Sequence, residues 1–454
     1  MLAAWLCMRS VATAQDFATT AVSSSVEAVV ENDSRPPFHS LIVDDDYVET
    51  CFLAPRHRRR VGARLQSSGI ELSAKSTQFA FGVDGGINVP VAAPLGSGDV
   101  FKYTGRNEYG ATFDLERLAR IDGGRIQFRV EHWYGQYGNV SLNTGAFAPA
   151  VLAAELPPAP DDPGIPLLTG CACSQPVTER LEVFVGKMSG IGAADQNLFA
   201  GGDGTDQFSN MALLESPALL LGIPYSSLSA GFKYSYDGFE YMAYLYDATD
   251  RTTDFLRMSD LFSEGIILGS ELRSRTNFFG LPGQHHVGGV WKHVPLSDLS
   301  FAEPPPGVYP EPTVSGSPTL KNSFTIYYGF DQFLARFLDE ERGWGLFGRA
   351  SISDGNPTPV RYFLSLGLGG DSRLRSGKND RWGIGWYYVG VSNQFGPAPT
   401  AEYGPRDGTG FELYYNMQVT RRLRLTPDVQ VIRPEASALA DRAFVYGIRA
   451  NLTW

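Results

Sequence analysis

Charged and hydrogen-bonding side chains alternate with apolar ones in the segment GRIQFRVEHWY, residues 124–134. The side chains that an extended strand would place on one face are Arg125, Arg129, Glu131 and Trp133. Guanidinium and carboxylate groups can replace the hydration of sugar hydroxyls, which both donate and accept hydrogen bonds. An aromatic ring can in addition stack on the apolar face of a sugar. This face therefore has the side chains needed to bind a small neutral sugar.

The same alternation places charged residues on one face of several later segments. These further candidates for contact with a small solute are Glu271, Arg273, Arg275, Arg349, Glu412, Arg424 and Arg449. In a lipid environment each such charge would cost about 2–4 kcal/mol at the bilayer midplane, so we expect them to face a water-filled interior. Mixed charges also occur in channels without sugar preference, so this alternative stays open for each single residue.

The segment that closes the chain, FVYGIRANLTW, alternates without a break. Phe444, Tyr446, Ile448, Leu452 and Trp454 share its apolar face, as a lipid-exposed strand requires. We interpret Leu452 and Trp454 as the signal by which a barrel-assembly machinery recognises the last strand.

Short alternating segments bounded by Gly, Asp, Asn or Pro fill the chain from Ser68 onward. Thirteen are clear, and two weaker ones lie at Ile70–Val83 and Tyr109–Leu115. Because bacterial outer-membrane barrels have an even number of strands, we expect one more strand than these fifteen. The sequence thus predicts an all-β protein, a transmembrane antiparallel β-barrel of about 16 strands. Long Pro- and Gly-rich connections, including 146–176 and 190–225, are predicted to be extracellular loops, and short turns to be periplasmic.

Composition and motifs argue against other function classes. The net charge of −11 leaves no extended basic face for nucleic acid. The chain has no GxSxG nucleophile elbow, and the paired His285 and His286 stand beside glycines at the start of a strand, so we expect no enzyme and no cofactor. Cys171 and Cys173, expected in a Pro-rich loop, could form half of a metal site, but no second Cys or His pair lies at ligand spacing.

Three regions are predicted along the chain. Residues 1–14 contain a short apolar run followed by Ala12-Thr13-Ala14, which is typical of a signal peptide. Residues 15–67 are polar and are predicted to be a periplasmic, partly disordered leader, and residues 68–454 form the barrel.

Several segments, in order, resemble the carbohydrate-selective porin family, the OprB type. They are SGIELSAKSTQ, ATFDLERLARIDGGRIQFRVEHW, LEVFVGKMSGIGAADQNLF, TNFFGLPGQHHVGGVWKHV, GWGLFGRASISDGNPTPVRYFLSLGLGG, GKNDRWGIGWYYVGVSNQF and FELYYNMQVTRRLRLTPDVQVIRP. The resemblance implies a Gram-negative outer-membrane channel that passes monosaccharides such as glucose passively into the periplasm. It also implies an Arg-rich wall, to which it adds Lys187, and a loop near Asp195 that folds inward.

Two alternatives to sugar selectivity stay open on the sequence alone. One is an unselective general porin, and the other is a structural barrel with a plugged lumen. The expected partners are small neutral sugars, outer-membrane lipid and the assembly machinery. The oligomeric state stays open on the sequence alone, with a homotrimer as the candidate.

Overall fold

The structure is a computed structural model that describes residues 64–87, 99–136, 140–155, 165–192, 194–220, 223–254, 257–301, 318–337, 342–375, 379–395, 405–435 and 440–454. The predicted signal peptide and nearly all of the predicted leader lie outside these residues. Sixteen strands form one closed antiparallel barrel in which each strand pairs with its neighbours in the chain. This confirms the predicted fold class.

The strands are β1 Ile70–Asp84, β2 Val100–Asp114, β3 Arg125–Gly135, β4 Leu167–Pro176, β5 Leu181–Ser189, β6 Ser226–Tyr236, β7 Phe239–Asp247, β8 Ile266–Phe278, β9 Leu281–Ser297, β10 Thr319–Arg336, β11 Gly343–Ser353, β12 Val360–Ser372, β13 Asp380–Val391, β14 Gly408–Gln418, β15 Leu423–Arg433 and β16 Ala443–Thr453. Between the strands, the described residues form five short helices: α1 Leu115–Ala119, α2 Ser141–Thr144, α3 Leu152–Glu155, α4 Met211–Leu214 and α5 Pro217–Leu220. None of the helices in the described part of the chain has the length and apolar character to cross a membrane.

The last strand closes the barrel by pairing with the first. Its register on β1 runs from Lys75 opposite Thr453 to Asp84 opposite Phe444, and its other edge pairs with β15. No edge is left at the seam, so the backbone donors and acceptors there are paired within the sheet.

The two faces of β16 differ as the alternation predicts. Phe444, Tyr446 and Ile448 are exposed on the outside, whereas Val445 and Arg449 are fully buried on the inside. Large apolar side chains exposed to the surroundings on a closed barrel are what a lipid-facing surface requires.

The strand missing from the sequence prediction is β4, which lies where a loop was expected. Its residues LLTGCACSQP are mostly small, so the alternation of large apolar and polar side chains is weak. Cys171 and Cys173 belong to this strand, not to a loop, and they pair opposite Phe128 and Ile126 on the outward face of β3.

Short and long connections alternate around the barrel. At one end, which we call the short-turn rim, two-residue turns join β6 to β7 and β8 to β9, and both residues of each turn have positive φ, as at Asp237 and Gly238. The other end, the long-loop rim, carries connections such as 190–225 and 248–265. Short turns face the periplasm in outer-membrane barrels.

Candidate functional site

Residues 190–225, which we call the inward loop, leave β5 and fold back into the lumen before β6. The loop carries α4 and α5 and packs against one part of the wall through apolar side chains. The buried members of this cluster include Phe199, Phe208, Leu213 and Leu214 from the loop and Phe347, Phe363, Tyr387 and Tyr414 from the wall. The ring centroid of Phe208 lies 5.4 Å from that of Phe347 and 4.9 Å from that of Tyr414. Burial of these rings holds the loop against β11–β14.

Two glycines of β13 make this close approach possible. A Cβ atom added to Gly383 would lie 2.7 Å from the Phe208 ring, and one added to Gly385 would lie 2.7 Å from Leu213. Any side chain at these wall positions would push the loop further into the lumen.

A buried ionic anchor joins the base of the inward loop to the wall. Asp195 Oδ1 lies 3.1 Å from Arg349 Nε and 2.9 Å from His286 Nε2, while its Oδ2 accepts from the backbone N–H of Ser216 at 2.8 Å. Burial alone raises the pKa of Asp195, but the Arg349 guanidinium and His286 outweigh it and hold that pKa below its usual value. The Asp195 N–H in turn donates to Glu271 Oε2 at 2.7 Å, so the backbone of the loop is also tied to β8 at this point.

A second anchor fixes the middle of the loop to β14 and β16. Glu412 accepts from the backbone N–H groups of Ser209 at 2.6 Å and Asn210 at 2.9 Å. Arg449 donates to the carbonyl oxygens of Gly204 at 2.7 Å and Gln207 at 2.6 Å. Both side chains are fully buried, and backbone groups of the loop form hydrogen bonds with both Glu412 carboxylate oxygens and both terminal Arg449 nitrogens.

The tip of the loop contacts positively and negatively charged side chains of β2 and β3. We call Asp203, Arg106, Glu108, Arg129 and Glu131 together the tip cluster. The shared partner is Asp203, whose Oδ2 lies 2.9 Å from Arg106 Nη2 and 3.3 Å from Arg129 Nη2. Arg129 Nη2 also lies 2.5 Å from Glu108 Oε1 and 2.8 Å from Glu131 Oε1. The carboxylates and guanidiniums therefore alternate along the wall.

The tip cluster keeps contact with water where the base of the loop does not. The Asp203 side chain is 28% exposed, and next to it Lys75 Nζ pairs with Asp206 at 2.6 Å, with exposures of 22% and 45%. Burial raises the pKa of Asp203, but Arg106, Lys75 and Arg129 together hold it well below its usual value. This side of the lumen combines fixed charges with access to solvent, whereas the β11–β14 side is sealed by rings.

The predicted wall residues lie at different heights along the barrel axis. Those in contact with the inward loop or its tip cluster are Arg129, Glu131, Glu271, Arg349, Glu412 and Arg449. Arg273 pairs with Glu271 at 2.7 Å and is partly exposed. Arg125, Arg275 and Arg424 lie towards the short-turn rim. Trp133 is buried beside Arg106, its cross-strand partner, whose Cζ lies 5.4 Å from the ring centroid, and it meets Tyr225 edge to face.

The structure places Lys187 differently from the expectation of a pore residue. It pairs opposite Leu228 and Cys171, on the outward face, and its Nζ donates to the backbone oxygens of Thr252 and Asp254. The outward face here is covered by the connection after β7, so a buried lysine is tolerated there.

Sequence reasoning missed Lys75, Arg106, Glu108, Asp203 and Asp206. Arg106 and Glu108 alternate in β2, which starts at Val100, whereas the prediction started at Tyr109. A predicted strand that began at Val100 would have included both residues. The two aspartates lie in an irregular loop whose contacts have no sequence period.

A second segment from the long-loop rim, residues 140–155, packs near the ends of β1 and β15. Glu435 Oε2 accepts from the backbone N–H of Phe147 at 2.7 Å. Burial, with a smaller effect of Asp407, raises the pKa of Glu435 from 4.5 to about 7, and burial raises that of Glu155 to about 8.

These raised pKa values predict that segment 140–155 is bound to the barrel most tightly at acidic pH. A carboxyl whose folded pKa is raised favours the folded state below its unfolded pKa, and that contribution is lost as the pH rises through the folded pKa. We expect amide hydrogen exchange in residues 141–155 to accelerate between pH 5 and pH 8, beyond the intrinsic rate change. The Glu435→Gln variant should lose much of this dependence, and an equally steep profile in that variant would contradict the assignment.

The chain resembles known proteins in both sequence and fold. A family model described as "Carbohydrate-selective porin, OprB family" matches residues 100–454. The high-pH structure of Pseudomonas putida OprB is 18% identical with a TM-score of 0.70, and the match covers 86% of this chain and 96% of that one. The low-pH structure of the same protein is 13% identical with a TM-score of 0.52, over 90% and 100%. None of the curated proteins matches the chain at a significant level.

Proposed function

The chain belongs to the carbohydrate-selective porin family of the OprB type, and on this premise we propose that neutral monosaccharides cross its barrel beside the tip of the inward loop. The protein is a sugar porin of the Gram-negative outer membrane and is not an enzyme. Which sugars pass, and which residues they touch, is the subject of the proposal.

The observation that carries the proposal is the tip cluster. Arg129, Glu108 and Asp203 keep exposures of 14%, 13% and 28% to the lumen, and they pair with Arg106 and Glu131, which are buried. Fixed donors next to fixed acceptors match the hydroxyl groups of a sugar, each of which is both. Because the two guanidiniums offset two of the three carboxylates, the cluster has only a small excess of negative charge, which favours a neutral solute.

Liposome swelling tests this function. We expect proteoliposomes to swell faster in glucose than in an uncharged polyether of similar size, because only glucose can exchange its water for the tip cluster. Equal rates for the two solutes would instead indicate an unselective general porin. No flux of either solute would indicate a plugged structural barrel.

Arg129→Ala is expected to weaken sugar block of single-channel current. The variant removes the guanidinium that touches Glu108, Glu131 and Asp203, so the carboxylate excess increases. A lost hydrogen bond to a charged group is worth about 1.5–3 kcal/mol, so the blocking glucose concentration should rise about tenfold or more. In salt gradients the reversal potential should shift towards cation preference.

Arg424→Ala is the matched control for this experiment, since Arg424 also faces inward but donates to Asn416 and to the backbone of Asn379 near the short-turn rim. Unchanged block in Arg129→Ala, or equal loss in both variants, would remove Arg129 from the sugar path.

The partners of assembly are also part of the proposal. We expect the barrel-assembly machinery to recognise the segment that ends in Leu452 and Trp454. A homotrimer is a testable state, and chemical cross-linking in intact outer membranes would report it.

A further inference from the structure

The outer surface of the barrel carries a groove of about 770 Å³ at the short-turn rim. The side chains that form it include Phe337, Trp344, Arg373, Leu374, Trp382 and Leu413. Ligand pockets in proteins have volumes of about 300–1,000 Å³ and mostly apolar walls, and this groove meets both criteria.

The floor of the groove faces the membrane. Trp344 and Trp382 lie on the same outward faces as Ile352 of β11 and Trp386 of β13, both exposed. Between the two rings stands Gly370 of β12, and the ring centroids are 6.2 Å apart. A Cβ on Gly370 would meet backbone atoms at 2.4 and 2.5 Å, and its φ of +138° also favours glycine. The position on β12 between the two tryptophans therefore carries no side chain, which leaves an apolar depression.

The end of the groove at the rim carries an arginine with unused donors. The Arg373 guanidinium lies 3.9 Å from the ring centroid of Phe337, and within the described residues it has no hydrogen bond or ion pair. Leu374 beside it is 83% exposed, which is unfavourable in water but not at a membrane interface.

The carboxylates of the described residues around this arginine already have other arginine partners. Asp371 lies near Arg342 and Arg381, at 3.4 and 3.7 Å, and Asp380 is occupied by Arg375 at 2.6 Å. Among these described residues Arg373 is the guanidinium without a carboxylate, and it lies at the depth where the headgroups of the leaflet lie.

We propose that this groove binds one glycerophospholipid of the periplasmic leaflet. Its phosphate is held by the N–H groups of Arg373, and an acyl chain lies across Trp344 and Trp382 towards Leu413. Guanidinium groups form charge-assisted hydrogen bonds with phosphate oxygens, and the apolar depression continues from the arginine in the direction of the bilayer centre. The short-turn rim faces the leaflet that contains phospholipid, so the occupant is available at this place.

Native mass spectrometry of the full-length porin in detergent tests the proposal, with phosphatidylglycerol as the probe. We expect one tightly retained lipid, and about tenfold weaker retention in Arg373→Gln. The matched control is Arg180→Gln, because Arg180 also lies over an aromatic ring at the short-turn rim, 4.6 Å from the centroid of Tyr236. The control should retain the lipid as the wild type does.

Diacylglycerol with the same acyl chains separates the phosphate from the chains. The wild type should retain it no better than Arg373→Gln retains phosphatidylglycerol. Equal retention of both lipids by the wild type, or equal retention of phosphatidylglycerol by both arginine variants, would overturn the site. Glucose swelling by Arg373→Gln proteoliposomes should equal that of the wild type, so the sugar path and the lipid site are tested separately.

Discussion

Arg349→Ala is expected to release the inward loop and to raise single-channel conductance several-fold, with loss of preference for glucose. The variant leaves Asp195 fully buried without its guanidinium partner and removes the donors to the backbone oxygens of Leu213 and Ala200. Breaking a buried ion pair by removing one partner costs about 3–5 kcal/mol. The base of the loop is held by such polar contacts as well as by apolar packing, so a loss of this size should detach it.

The barrel itself should survive this change, because its strand ladders do not include the Arg349 side chain. Heat-modifiable migration should therefore stay normal while conductance, measured in planar bilayers, rises. Arg381→Ala is the matched control, since Arg381 is half exposed on the inward face of β13 and its nearest described carboxylate, Asp371, lies 3.7 Å away.

Asp195→Ala should reproduce the effect, and the double variant should show less than the sum of both, since the two side chains form one interaction. Wild-type conductance and sugar block in Arg349→Ala would show that the apolar cluster alone holds the loop in place.

The strands were predictable wherever one face meets lipid and the other meets water. In such a wall each position has only one tolerable polarity, so FVYGIRANLTW specifies both a strand and its register. The same rule failed at β4, because Gly170, Cys171 and Ala172 are small and fit either face. Lys187, which the family resemblance assigned to the pore wall, faces outward, because protein covers the outer face of the barrel at this position.

The candidate site was predictable only from the wall side. Arg129, Arg349 and Arg449 were assigned to the interior because no charge is tolerated outside. Their partners come from an irregular loop, in which Asp195 and Asp203 are placed by tertiary contacts and not by any period. Alternation thus finds which side chains face the lumen, whereas the depth and shape of the constriction depend on how the loop packs.

Trp454→Ser is expected to abolish most accumulation of folded porin in the outer membrane of cells. Trp454 follows β16, the strand that closes the barrel, and its backbone N–H donates to the carbonyl oxygen of Ala74 at 3.0 Å. Serine keeps that hydrogen bond, so the closing ladder stays intact. A defect would therefore lie in recognition of the terminal aromatic by the assembly machinery, not in the stability of the seam.

Refolding from urea into detergent micelles separates the two causes, since no machinery is present. The Trp454→Ser chain should refold in vitro to a heat-modifiable barrel with a yield close to that of the wild type. Trp291→Ser is the control in cells, because Trp291 is likewise an exposed outward ring, at 40%, but lies in the interior of β9. Failure in vitro as well as in cells would assign Trp454 a structural role at the seam, and normal accumulation in cells would remove it from the assembly signal. The expected combination, loss in cells with refolding in vitro, is the one that assigns the terminal aromatic to recognition, because only the machinery differs between the two conditions.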